Sequence, residues 1–159
     1  MRVGLGYDSH RFIAGRPLIL GGIRIPFPLG LAGHSDADVV LHALGDALLG
    51  AAALGDIGAH FPDEDPRFEG ADSSELLRKI VAEVHEAGYM VGNVDMTVIT
   101  EKPKLLPYID RMREHIAAIT GIARTDVSIK GKTNEQMGWL GRSEGMACLA
   151  VALLQSSAA

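Results

Sequence analysis

The sequence predicts an α/β (α+β) fold in which one mixed β-sheet is covered by helices on one face. Three observations carry this. Strand-like and helix-like segments alternate along the 159 residues. A single hairpin signal falls early, and one helical segment is apolar nearly all round, so it should be buried. A chain of this length is most simply one domain, residues 1–159, able to bury roughly two-thirds of its unfolded surface.

The first strand runs from Arg2 to Asp8, and LILGGIRIP (residues 18 to 26) reads as two short strands around a Gly21-Gly22 turn. HSDADVVLHALGDALLGAAALG signals the first helix. Ser35 with Asp38 three residues on resembles a capping box, and Asp36 is an equal candidate for the cap. The polar exceptions in this helix, Asp38, His42 and Asp46, recur every fourth position and share a face. The second helix spans about Ser73 to Ala87, between an Asp72 N-cap and Gly88, with Leu76, Leu77, Ile80, Val81 and Val84 as its stripe. YMVGNVDMTVITEKP alternates Val91, Asn93, Asp95 and Thr97 against Met90, Val94, Met96 and Val98, a strand pattern. The third helix begins near Pro107, carries Ile109, Met112, Ile116 and Ile119, and stops at Gly121. DVSIKGK follows as a strand, and MACLAVALLQ reads as another because a glycine immediately precedes it.

A net charge of −5 argues against a nucleic-acid binder that relies on a general basic field. The lone Cys148 excludes an internal disulfide and any multi-cysteine zinc site, and suits a reducing compartment. MRVGLGYDSH lacks the apolar core of a signal peptide. No apolar run approaches the ~20 residues needed to cross a bilayer, so the expectation is a cytoplasmic protein without a membrane partner.

Asp8 and His10 lie two positions apart in GYDSHRF and so share one strand face. That suits either a metal ion or a surface hydrogen bond. His42 adds an imidazole inside an apolar helix, where an unsatisfied polar group costs roughly 1–3 kcal/mol. Two imidazoles and a carboxylate form a three-ligand set of the kind catalytic zinc uses. Asp38 or Asp46, a turn away, could instead accept a hydrogen bond from the His42 ring. His34 and Ser35 precede the helix, at an end suited to an anion or to ordinary capping. KGKTNEQMGWLGRSEG fails as a Walker A loop, since Asp126 occupies the place of the required first glycine. Its lysines, glycine and Thr133 could still hold phosphate with Glu135 holding a divalent cation, or form a solvated turn. FPDEDPRF reads as a stiff hydrated turn, and His85 and His115 as surface residues.

GYDSHRF, GGIRIP, GHSDADVVLHALGDALLGAAALGDIG, HFPDEDP, KPKLLPYI and KGKTNEQMGWLGRSEG occur in the order found in one enzyme family. On these motifs the chain resembles the 2-C-methyl-D-erythritol 2,4-cyclodiphosphate synthases of the non-mevalonate isoprenoid pathway over essentially its whole length. The resemblance implies zinc bound by Asp8, His10 and His42, with Ser9 and Ser35 beside the substrate. It implies transition-state stabilisation by His34 and Thr133, and magnesium or manganese held by Glu135, next to Asn134. Asp56, Ile57 and Gly58 would contact or position the methylerythritol part, together with the loop Phe61, Pro62, Asp63, Glu64 and Asp65. Thr100, Glu101, Lys102 and Pro103 would line the cytidine diphosphate portion, followed by Lys104, Leu105, Leu106 and Lys132.

The resemblance further implies a homotrimer with active sites between subunits. Trp139 and Arg142 match the region where some members bind an isoprenoid diphosphate in a cavity on the threefold axis. Trp139 stands where phenylalanine is frequent, and Ala59 where lysine is frequent. The reaction implied is an intramolecular phosphoryl transfer that releases CMP. Rival readings are a zinc-dependent phosphohydrolase and a trimeric isoprenoid-diphosphate-binding protein.

Overall fold

The computed structural model describes residues 1–62 and 65–157. Along the chain, β1 (Arg2–Ile13) leads into a hairpin, β2 (Leu18–Leu20) and β3 (Ile23–Ile25), then β4 (Gly30–Leu31) and α1 (Val39–Ala52). The single turn α2 (Ile57–His60), α3 (Ser73–Glu86), β5 (Tyr89–Ile99) and α4 (Ile109–Thr120) follow. The chain ends with β6 (Val127–Lys132), the short α5 (Gly138–Gly141) and β7 (Gly145–Ser156). Five strands form one mixed sheet in the order β4-β1-β7-β5-β6, antiparallel throughout except for the β5–β6 pair. No helix among the described residues is long and apolar enough to cross a membrane.

Helix α1 lies directly on the centre of this sheet because β1 offers it glycines. A Cβ added at Gly4 would sit 1.9 Å from the Ala47 carbonyl oxygen, and one at Gly6 would sit 1.8 Å from that of Ala43. The opposing positions on α1 are the small residues Ala43, Ala47 and Ala51. Backbone therefore meets backbone along this seam, and the strand's next residue on the same face is Asp8. The other flanks of α1 bury Leu41, Leu44, Leu48 and Leu49, each stabilising the fold by roughly 1.5–3 kcal/mol. All five residues of the α3 stripe are buried, as are Met112, Ile116 and Ile119 of α4.

The opposite face of β1 and β7 is bare and apolar. Val3, Leu5 and Tyr7 lie exposed beside their register partners Leu153, Val151 and Leu149. Contiguous exposed apolar surface of this sort marks a contact face.

Several expectations need correction. The first strand runs on to Ile13, because β7 offers a pairing partner as far as Arg11. The cap of α1 is neither Ser35 nor Asp36 but Asp38, whose carboxylate accepts from Val40 and Leu41. The same carboxylate takes the amides of Gly21 at 2.9 Å and Gly22 at 2.7 Å, pinning the hairpin turn to α1. Burial and the Asp36 charge push the Asp38 carboxyl up to about 6 against those donors. Pro107 belongs to a 3-10 turn, Leu106–Tyr108, that precedes α4. In β5 the bulge between Val91 and Asn93 reverses the alternation, so Val91 is buried and Met90 exposed. His115 is half-buried, with its Nε2 2.9 Å from the Ser74 hydroxyl, whereas His85 is exposed as expected.

Candidate active site

The seam that seats α1 on β1 also brings His42 over Asp8 and His10. His10 Nε2 lies 2.9 Å from Asp8 Oδ2, and His42 Nδ1 lies 3.2 Å from the same oxygen. The two ring nitrogens are 3.3 Å apart. Ligands at about 2.0–2.1 Å from a tetrahedral zinc lie about 3.3 Å from one another. The triangle therefore fits such an ion with one corner left over. Among the described residues these three form the only His, Cys, Asp or Glu group close enough to share a cation.

Hydrogen bonds behind the triangle support the same use. His10 Nδ1 is 2.7 Å from the Ala32 carbonyl oxygen, which can only accept, so a proton sits there; a second proton on Nε2 bonds Asp8, and its release would free that lone pair for a cation. His42 Nε2 contacts Ser73 Oγ at 2.9 Å and Ser35 Oγ at 3.1 Å. Neither Asp38 nor Asp46 bonds that ring: Asp38 is committed to backbone amides, and Asp46 accepts from Ile57 N at 2.8 Å. Burial works to raise the Asp8 carboxyl, but hydrogen bonds and charge from His10 and His42 outweigh it and hold the group at about 2. Burial likewise works to lower His42, and its bond and attraction to Asp8 raise it instead.

A cavity of about 200 Å³ opens on the triangle, walled by His34, Ser35, Ile57, Gly58 and Phe61, with Gly33 and Leu76 completing it. His34 Nε2 is buried and is the one such polar side-chain atom without a hydrogen-bond partner among the described residues. An orphaned buried polar atom costs free energy unless a ligand satisfies it. The end of α1 is not free for an anion, since Asp38 caps it, so His34 and Ser35 serve this cavity through their side chains. Asp56 caps α2 by accepting from Ala59 N, which aims Ile57 and Gly58 into the space. Asp65 pairs with Arg67 at 2.6 Å, and that hydrogen bond lowers its carboxyl to about 2. Pro62 is exposed, Asp63 and Glu64 lie outside the described residues, and Ser9 is exposed on the opposite face of β1.

A second cavity of about 360 Å³ gathers Thr100, Glu101, Pro103 and Lys104 with Leu105, Leu106, Lys132 and Thr133. Segments that the sequence places thirty residues apart meet because β5 and β6 run parallel and end together. Thr100 N donates to the Lys132 carbonyl at 2.9 Å, and the Thr100 hydroxyl bonds the carbonyl of Lys102, whose side chain is exposed. Glu101 Oε1 accepts the Asn134 amide at 2.8 Å and the Gln136 amide at 3.3 Å, so it holds the following loop. Thr133 Oγ1 donates to Glu135 Oε1 at 2.8 Å. Glu135 and Gln136 both take left-handed backbone angles, φ of 51° and 61°, a strained geometry that clusters at functional sites. Trp139 and Arg142 line neither of these two cavities; Arg142 Nε pairs with Glu144 at 2.7 Å. Leu76 and Ile109 join the two cavity walls although the apolar stripes assign them to the core, and nothing in the pattern singles out Gly33.

The two cavities share no residue. Between β1 and β6 lie three strand spacings, roughly 14 Å.

Residues 1–155 match the YgbB family. The 2-C-methyl-D-erythritol 2,4-cyclodiphosphate synthase of Burkholderia thailandensis is 58% identical over 158 residues, covering 99% of this chain and 98% of its own. The solved structure of the bifunctional IspDF from Campylobacter jejuni superposes with a TM-score of 0.94 at 41% identity, covering 98% of this chain. This chain spans only 42% of that longer protein. A CDP-bound 2C-methyl-D-erythritol-2,4-cyclodiphosphate synthase superposes at a TM-score of 0.89 and 37% identity, over 97% of this chain and all of the other.

Proposed function

The chain belongs to the YgbB family, and on that premise we propose how its residues carry out the cyclodiphosphate synthase reaction. It converts 4-diphosphocytidyl-2-C-methyl-D-erythritol 2-phosphate to 2-C-methyl-D-erythritol 2,4-cyclodiphosphate and CMP, as a phosphorus–oxygen lyase of the non-mevalonate isoprenoid pathway. An oxygen of the 2-phosphate attacks the β-phosphorus. As that bond forms, the bond to the bridging oxygen breaks, and the oxygen leaves on CMP. No water is consumed, and no side-chain nucleophile is needed. Burial pushes the Cys148 thiol far up, which suits it to packing rather than attack.

The observation that carries the reading is the convergence of Asp8, His10 and His42 beside the unpartnered His34 Nε2. Asp8, His10 and His42 would hold zinc, which would supply Lewis-acid polarisation of a phosphate, and Glu135 would hold magnesium or manganese, which would supply neutralisation of the diphosphate charge. His34, and Thr133 once its hydroxyl turns from Glu135, donate hydrogen bonds to the phosphoryl oxygens as charge shifts between them. Asp56, Ile57, Gly58 and the 61–65 loop hold the methylerythritol part, and the apolar Phe61 and Leu76 limit the access of water. Backbone groups of 100–106 hold the cytosine, while Lys132 meets the diphosphate.

One substrate needs both cavities, which share no residue and stand on strands three spacings apart in one chain. The bare apolar face of β1 and β7 offers a way to join them: a homotrimer in which neighbouring subunits complete each site. The reading also takes in a single synthase domain over residues 1–159 and a cytoplasmic setting.

The test is CMP release with and without a chelator, run in water labelled with heavy oxygen, with the product mass determined. A cyclised product free of solvent oxygen, and lost on chelation, is expected. Incorporation of solvent oxygen would make the chain a phosphohydrolase.

A further inference from the structure

Asp36 and Ser73 line neither the metal cavity nor the 100–135 pocket, yet both bear on His42. Asp36 lies just before α1, and Ser73 is the first residue of α3. Asp36 Oδ2 accepts the Ser73 amide at 3.0 Å, and its Oδ1 takes a short hydrogen bond from the Ser73 hydroxyl. The Asp38 amide also donates to Asp36, at 3.1 Å, which fixes the carboxylate against the start of α1. Ser73 is buried and Asp36 half-buried.

The direction of each bond follows from what each group can do. An ionised carboxylate has no proton to give, so the Ser73 hydrogen points at Asp36. Its oxygen then presents a lone pair to His42 Nε2, 2.9 Å away. Ser35 Oγ accepts from Ala37 N at 3.1 Å, and its hydroxyl, 3.1 Å from the same nitrogen, can accept from it or donate to it. The Ser73 oxygen favours the His42 proton on Nε2, in competition with the Asp8 carboxylate 3.2 Å from Nδ1, and a proton held on Nε2 frees the Nδ1 lone pair for a cation shared with Asp8 and His10.

We infer that Asp36 and Ser73 form a relay that fixes the tautomer of His42, and are positioning residues for the metal. This rests on the metal reading above, but the relay has a signature that needs no metal. In Asp36→Asn an amide nitrogen in the place of Oδ1 can donate to Ser73 Oγ while the oxygen still accepts the Ser73 amide, at the loss of the bond from the Asp38 amide. The Ser73 proton then turns toward His42 Nε2, and the imidazole proton moves to Nδ1, where it blocks ligation. A role confined to joining α1 and α3 would leave the tautomer alone.

The experiment uses the full chain with 15N-labelled histidine, metal-free and at alkaline pH, where imidazoles are neutral. The proton of His42 should sit on Nε2 in the native chain and on Nδ1 in Asp36→Asn. Zinc affinity, measured by competition with a chelator, should fall roughly 10–100-fold in Asp36→Asn and in Ser73→Ala. The doubly substituted chain should lose no more than Asp36→Asn alone, because the two residues act through one bond. An unchanged tautomer in Asp36→Asn, or fully additive losses, overturns the relay. Should Asp36→Asn fail to fold by circular dichroism, Ser73→Ala carries the decision: unaltered zinc affinity there also overturns the relay. A native chain that takes up no zinc sinks the metal reading instead, and the tautomer still decides the relay.

Discussion

Around Asp8, His10 and His42 every ligand rides on regular structure, whereas the pocket around Lys132 and Thr133 is walled by loops and strand ends. In the first region a glycine–alanine seam sets the distance between strand and helix, and hydrogen bonds from behind hold each ring. In the second, Lys104, Leu106, Thr133 and Glu135 are exposed, and two residues are held in left-handed geometry. The contrast follows from what each must do. Groups that stabilise charge in a transition state work only when already in place. A pocket for a nucleotide can adjust as the ligand and a neighbouring subunit close on it.

The sharpest way to break this comparison is to remove a ligand from the rigid region. His42→Ala should lose zinc and cyclisation together, with turnover falling roughly 100-fold or more, since even partners behind a metal ligand are worth 10–100-fold. Metal content and CMP release measured on the same sample decide it. Full turnover in a zinc-free variant would remove the metal from the mechanism.

Next comes a matched pair of glycines, one from each region. Gly6→Ala places a Cβ 1.8 Å from the Ala43 carbonyl oxygen, so α1 must lift from β1. A cost of about 1–3 kcal/mol or more is expected, with weaker zinc binding although no ligand has changed. Gly131→Ala meets nothing nearer than Leu105 Cβ at 3.6 Å. It should stay within about 0.5 kcal/mol of the native chain. Thermal melts of both variants test the contrast, and equal losses would erase it.

That seam also shows where the sequence was legible and where it was not. Asp8 and His10 could be paired from their spacing alone, and His42 stood out as a polar residue in an apolar helix. The stripes of α3 and α4 were equally plain, because their periodicity is local. The glycines of VGLGYD carried no such meaning: only the docking of α1 explains why a Cβ is forbidden there. Asp38 could not be identified as the cap, since its decisive partners include Gly21 and Gly22 in a separate hairpin. The Gly92 bulge in β5 depends on pairing with β7, and the Asp36–Ser73 contact joins residues far apart in the chain. Each of these is a long-range fact without a local pattern.

Proton competition gives the third test, and its sign can be worked out for each partner. Asp8 at about 2 lies below its ordinary 3.8, so its contribution to stability is present above that ordinary value and lost as pH falls through about 2. His42 is raised above 6.5, so its contribution is present below that value and lost as pH rises through the folded one. The metal-free pair therefore stabilises the fold most between the two ordinary values. Zinc needs the neutral imidazole, so affinity should climb with pH through the raised His42 value, by about tenfold per unit below it. Uptake near neutrality should release protons, measurable by titration calorimetry in buffers of different ionisation enthalpy. An affinity flat between about pH 6 and about pH 8 would contradict the raised imidazole.

The smallest effect is expected from the loop-built region, through Glu101. Its Oε1 gathers the Asn134 and Gln136 amides and so holds the segment that carries Thr133 and Glu135. Both amides can reach water when the carboxylate is gone, so Glu101→Ala should cost only about 1 kcal/mol. Because the loop is needed to bind the nucleotide half, that cost should appear as a KM raised roughly fivefold, with kcat within about twofold. Glu101→Gln keeps an acceptor oxygen in place and should recover most of the loss, which separates a loop-holding role from one that needs the charge. Steady-state kinetics of the two variants decide between them. A collapse of kcat at constant KM would mean that this loop, too, must be fixed in advance, and the division between the two halves of the site would disappear.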